Sequence, residues 1–326
     1  MDVDTEAIQR LTRCPDLWFN DCGLVIRTDD TVFRVSRDFM AAQSPIFRDM
    51  LALPTPDNEE LYEGCPMVTL PDSKYDVTVF LKALVYHDFF SSNVGDNSSS
   101  VLAGVLRLSH KYEVASLLRR AVVHISTLFP TTLAGWQLEV RHENQSVWES
   151  LVTGSDAIVL ARQLSMDWLL PFAFYQACRG TRELYMLDPD TKIARDDVYR
   201  WVLGCRILPD EVSKMLSFLW DPIEECEFIQ DDLPESTPCV IHRLSARRKA
   251  ERSRTFSTTD SLRGPLDIWV DRHWINMTGK VCSSCLTEMK ERHARAQQDF
   301  WARLPAIFNL PSWDELEKLK ATALAA

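Results

Sequence analysis

Two short runs of β-type residues open the readable part of the chain. "LVIR" at 24–27 and "VFRV" at 32–35 are separated by "TDDT", whose polar residues favour a turn, so the pair predicts a β-hairpin. The period then lengthens from two towards that of a helix. Ser36 is placed to cap a helix running through Gln43, and Pro45 pushes Ser44 out of the α region and ends it. The same Ser44-Pro45 pair supplies the N-cap and first position of a second helix, with Phe47, Met50 and Leu51 on one face. Residues 53–66, "LPTPDNEELYEGCP", predict an acidic, Pro-rich loop, and "MVTL" a short strand. "SKYDV" fits a Ser-x-x-Asp cap for a helix with Val77, Phe80, Leu81 and Leu84 on one side.

After a low-complexity loop, "SSNVGDNSSS", apolar residues recur at helical spacing. Val101, Val105, Leu108 and Tyr112 mark one helix, and Leu118, Val122, Ile125 and Leu128 another ending before Pro130. From 131 to 220 the pattern stays helical and rich in aromatic residues, among them Trp136, Trp148, Trp168, Phe172, Phe174, Tyr175, Trp201 and Trp220. An acidic stretch (221–235), a basic one (243–254) and a tail bearing Cys282-Ser283-Ser284-Cys285 follow.

Composition narrows the classes. Apolar residues make up 46% and charged residues 25%, as in an ordinary folded protein, and 326 residues suit two or three units. A net charge of −11 repels phosphate and argues against a general nucleic-acid binder. No window approaches the ~18 apolar residues of a membrane span, and "MDVDTEAIQRLTRC" lacks the apolar region of a secretory signal. Nine cysteines, an odd number scattered over the chain, suit a reducing compartment. The expectation is an intracellular chain, in cytoplasm or nucleus.

The residues that carry most weight are "WFNDCGLVIRTDDTVFRVSRDFMAAQSPIFRDML", "KYDVTVFLKALVYHDFF" and "VLRLSHKYEVASLLRRAVVHI". Their order of strands and helices, with F-x-V on the second strand and A-x-S-P-x-F-R after it, resembles the BTB (POZ) family over residues 16–128. "LARQLSMDWLLPFAFYQACR" and "WARLPAIFNLPSWDEL" resemble the long BTB proteins abundant in fungi. Ser36 stands where that family commonly has His, and Asp21-Cys22-Gly23 replaces its Asp-Gly, so no ligand pocket is carried over there.

The resemblance implies an α+β BTB domain, a small sheet capped by helices, followed by a mostly helical region. The expected layout is an extension at 1–15, the BTB domain at 16–128, a helical domain at 129–225 and a Cys-containing, charge-rich region at 226–326. It also implies an interaction module that pairs with itself or another BTB protein, and in some members recruits a cullin ubiquitin-ligase scaffold or transcriptional co-regulators.

Each candidate site has a plainer reading beside it. Leu11, Leu17, Trp18 and Phe19 precede the first predicted strand and suit a two-fold interface; alternatively they cover their own sheet. Leu61-Tyr62-Glu63 matches the hydrophobic-x-Glu spacing of ligase-adaptor members, against a solvated acidic loop. A lone CxxC is ambiguous between zinc, redox chemistry and chance. Cys226 and Cys239 lie upstream of Cys282 and Cys285, as long fungal BTB proteins commonly show a second cysteine pair there. Their wide spacing, and His242 three residues after Cys239, leave structural zinc open against buried thiols. The run "HRLSARRKAERSR" reads as a nuclear address or as a solvated helix paired with the acidic stretch. No phosphate loop, dinucleotide fingerprint, zinc-protease or serine-elbow motif is present. An adaptor is the leading reading, a nuclear transcription co-regulator the second, and a zinc- or thiol-dependent enzyme at Cys282 and Cys285 a distant third.

Overall fold

A computed structural model describes residues 11–54, 60–90, 99–141, 154–179, 192–228, 237–255 and 264–325. Residues 91–98 of the predicted loop at 91–100, Trp148 and residues 229–235 of the acidic stretch lie outside them.

The predicted hairpin is β2 (Leu24–Thr28) and β3 (Thr31–Val35), antiparallel, with Leu24 opposite Val35 and Ile26 opposite Phe33. These four side chains point to one face and are fully or almost fully buried under the helices, whereas Val25 and Val32 point to the other. β5 (Cys65–Thr69) pairs with β2 in parallel and covers the predicted "MVTL" except Leu70.

Two further strands were not predicted. β1 (Thr12–Trp18) runs parallel to β3 at the edge of the sheet, with a register shift between Arg13 and Trp18. Its "TRCPDLW" includes Pro15, which an edge strand tolerates because one side of its backbone needs no partner. β4 (Leu61–Tyr62) lies inside the predicted loop and returns antiparallel into β5. The turn between them places Glu63 at φ +50° and Gly64 at φ +76°, the left-handed pair that a two-residue hairpin turn requires. The sheet order is β1-β3-β2-β5-β4.

The helix pair follows its caps. The Ser36 hydroxyl accepts from the Phe39 amide at the start of α1 (Arg37–Gln43). Ser44 ends α1 and begins α2 (Pro45–Ala52), accepting from Phe47 N at 3.0 Å while donating to the Tyr112 carbonyl at 2.6 Å. Ser73 caps α3 (Lys74–Val85), but the Asp76 carboxylate does not close the box; it pairs with Arg107 on α4 (Ser99–Lys111). At that crossing a Cβ on Gly104 would lie 2.7 Å from Val79 Cγ2 and 2.8 Å from an Asp76 carboxylate oxygen, so a larger residue there would have to push both side chains aside. α5 (Ala115–Leu128) completes the N-terminal unit.

Beyond it the chain is helical: α6 (Leu133–Arg141), α7 (Gly154–Gln163), α8 (Leu170–Ala177), α9 (Arg195–Met215), α10 (Pro238–Thr255), α11 (Asp271–Met277), α12 (Ser283–Ile307) and α13 (Trp313–Ala325). Trp168, Phe172, Phe174 and Tyr175 are wholly or nearly wholly buried, as their helical spacing predicts. A single apolar core runs from Leu17 through Leu316, so the two halves are not separately packed. Phe172 touches both Phe129 and Trp301, and the Trp301 indole donates to the Thr131 carbonyl at 3.2 Å. Among the described residues no helix is long and apolar enough to cross a membrane.

Candidate interaction face and cysteine centre

The sheet has an outer face, away from α1 to α5. There Val25, Val32, Cys65 and Met67 form a second, small apolar layer, with Leu11, Trp18 and Tyr62 packed over it. Trp18 and Tyr62 meet edge to face with centroids 5.9 Å apart. The Arg13 guanidinium lies 4.7 Å over the Trp18 ring and is also salt-bridged to Glu63. The residues singled out separately for self-association and for a cullin-type contact are therefore largely neighbours: Trp18, Tyr62 and Glu63 share one face, with Leu61 half exposed at its β4 edge.

Leu17 and Phe19 are different. Leu17 has no exposed surface and belongs to the main core, because alternation along β1 turns it inward where Trp18 turns outward. It is a packing residue of its own sheet. Phe19 is half-buried against the same main core. β1 itself is held in place by its own chain: Asp16 pairs with Lys82 at 2.5 Å, and its carbonyl accepts from the Tyr86 hydroxyl. The hydrogen bond to Asp16 raises the Lys82 pKa.

The second cluster lies in the C-terminal half. The sulfurs of Cys226, Cys239, Cys282 and Cys285 all lie within 4.8 Å of one another, drawn from three separate segments. Cys282 is the N-cap of α12, its sulfur accepting from Cys285 N at 3.4 Å, and Cys239 sits in the first turn of α10. Gly279, at φ +76°, makes the tight turn that delivers Val281 and Cys282 to the helix start. The Cys282 amide donates to Cys239 Sγ at 3.2 Å, and Cys226 and Cys282 sulfurs lie 3.9 Å apart. Glu227, beside Cys226, accepts from Ser283 and from the Ser284 amide, clasping this loop to α12. Cys239, Cys282 and Cys285 are buried and Cys226 half-buried. His242, the alternative ligand, is exposed and stands outside the group.

Burial pushes Cys239 up to about 11 and raises Cys285 as well. Cys282 falls below the ordinary thiol value: burial pushes it up, and backbone amides of Cys285 and Glu227 directed at its sulfur outweigh that. Arg243 on α10 is 2% exposed and hydrogen-bonds the carbonyls of Phe218 and Asp221, while its Nε has no hydrogen-bond partner among the described residues. Burial lowers its pKa, and Cys285 acts in the opposite direction. Arg243 belongs to the basic run that suits a nuclear address or a solvated helix; the helix is there, but this member points inward.

A family model for the BTB/POZ domain matches residues 13–127. The chain carries a BTB/POZ domain. The match begins within β1, the strand the apolar pattern did not reveal, and ends within α5. No curated protein and no solved structure matches the chain. A BTB domain is a protein–protein interaction module, and the outer face built on Trp18 and Tyr62 is part of that domain.

Proposed function

We propose that the chain is an adaptor whose BTB domain associates with a second copy or with another BTB protein, leaving the helical half to hold a further partner. The observation that carries this is the clustering of Trp18, Tyr62, Leu61, Arg13 and Glu63 on one sheet face: aromatic and aliphatic surface with an ion pair at its rim. Such a composition, aromatic at the centre and charged outside, is that of protein interfaces. A cullin-type scaffold is the finer reading of the same face, resting on the exposed Leu61 and on Glu63, whose carboxylate Arg13 already holds. In the helical half, Tyr199 and Val202, three apart and exposed on α9, offer a second apolar surface.

The nuclear co-regulator reading draws less support. Arg243 is buried, and Arg247 is engaged by Glu251 at 2.7 Å and by the Trp220 ring, which shrinks the free basic surface. No turnover is part of this reading.

A pull-down of a cullin scaffold with the full chain, wild type against the Leu61→Ala, Glu63→Ala double variant, tests the finer step. Capture by the wild type and its loss in the variant are expected; equal capture by both would remove the cullin contact at Leu61 and Glu63.

A further inference from the structure

We propose that Cys226, Cys239, Cys282 and Cys285 bind one zinc ion, and that this ion ties the C-terminal half together without catalysing anything. Tetrahedral zinc with sulfur at ~2.3 Å sets its ligands about 3.8 Å apart. Here four sulfurs from three segments already lie within 4.8 Å of one another, and one pair is at 3.9 Å. Disulfides would join sulfurs two by two at ~2.05 Å and give no reason for four to converge.

The surroundings are those of an anionic centre. Backbone amides of Cys282 and Cys285 point at sulfurs. The N-terminal ends of α10 and α12, helices of 18 and 25 residues, both open at the cluster and bring positive partial charge to it. Arg243 adds a full charge. Among the described residues its hydrogen-bond partners are two carbonyls, and its Nε is buried without one. Among the described residues no carboxylate is salt-bridged to Arg243, although the charge of Asp221 acts on it, and a buried guanidinium so placed is costly unless a further negative group lies close by. Zinc supplies that group: Zn²⁺ displaces one proton from each of four thiols, and the resulting centre carries two negative charges.

The ligand type selects the metal. Four thiolates favour zinc over hard cations that prefer oxygen, with iron the soft competitor. Four protein ligands also leave no open position for water or substrate, which makes the site structural. Its consequence is mechanical. The ion joins the loop at 226, the start of α10 and the start of α12, and α12 carries Phe300, Trp301 and Leu304 into the shared core.

The test uses the full chain, purified with a reductant and no chelator, and measures metal by mass spectrometry. About one zinc per chain is expected. Cobalt(II) in its place should give the intense visible absorption of a tetrahedral tetrathiolate site. Cys226→Ser and Cys285→Ser should each lose most of the metal, while Cys14→Ser, outside the cluster, should keep it. Should the two cluster variants fail to fold, the zinc content and cobalt spectrum of the unaltered chain decide alone. A folded chain that holds no zinc and takes up no cobalt overturns the proposal, as does iron as the resident metal or a disulfide within the cluster.

Discussion

His293 lies 6% exposed on α12, its ring within 5.2 to 5.5 Å of Phe218 and Trp274, and its Nε2 has no hydrogen-bond partner among the described residues. Burial in this aromatic setting lowers its pKa from 6.5 to about 4. The neutral ring is thus favoured in the folded chain, while the unfolded chain takes up a proton below pH 6.5. Stability contributed by the neutral ring is fully present above that value and is lost as pH falls towards 4. Between pH 7 and pH 5 the loss should reach about 2 kcal/mol. Urea unfolding at both values checks it: His293→Leu should remove that part of the slope, and an unchanged slope would show the ring is not the source. Nothing in the sequence marks His293 as buried, since it sits in the polar run "MKERHARAQQ" and only the packing of Phe218 and Trp274 around it reveals the environment. Leu17 carries the same lesson. Its burial depends on which way β1 faces, and Pro15 hides β1 from a reading of alternation.

At the scale of elements, what was legible was local chemistry. The caps at Ser36, Ser44 and Ser73 act within three residues, so the helices they start could be read directly. Ser44 does more than its neighbour, because it also donates to the Tyr112 carbonyl across the domain. Ser44→Ala should therefore cost about 2 kcal/mol, and Ser36→Ala about 1. Thermal unfolding of both variants tests the order; equal losses would mean the long-range bond contributes nothing. What was not legible was pairing set by distant strands. β1 needs β3 beside it and β4 needs β5, and neither segment carries alternation long enough to announce itself. The interaction face suffered for this: Trp18 and Glu63 were placed in different regions of the chain, and only the sheet order brings them together.

At the scale of the molecule, the sequence divides into a recognisable N-terminal third and a looser helical remainder, yet the structure packs them on one core. Trp301 sits at the join, donating to Thr131, touching Phe172 and stacking on Trp313 at 5.6 Å. A continuous core predicts one cooperative unfolding transition for the whole chain. Trp301→Ala should lower it as a unit by about 3 to 5 kcal/mol. Two separated transitions in calorimetry would instead show that the halves unfold independently. Similarly, Cys226, Cys239, Cys282 and Cys285 were legible as a candidate metal set, but the wide spacing between Cys226 and Cys239 left their convergence open, and it depends on the start of α10 meeting the start of α12.

The central claim is that the BTB domain joins this chain to another through the face around Trp18, Tyr62 and Leu61. Leu61 is the residue to change, since half of its surface is exposed and its loss should spare the core. Sedimentation equilibrium of the full chain over micromolar concentrations measures the association directly. A dimer for the wild type, shifted towards monomer by Leu61→Asp, is the predicted result. A wild-type chain that stays monomeric throughout, or a dimer indifferent to Leu61→Asp, would contradict it.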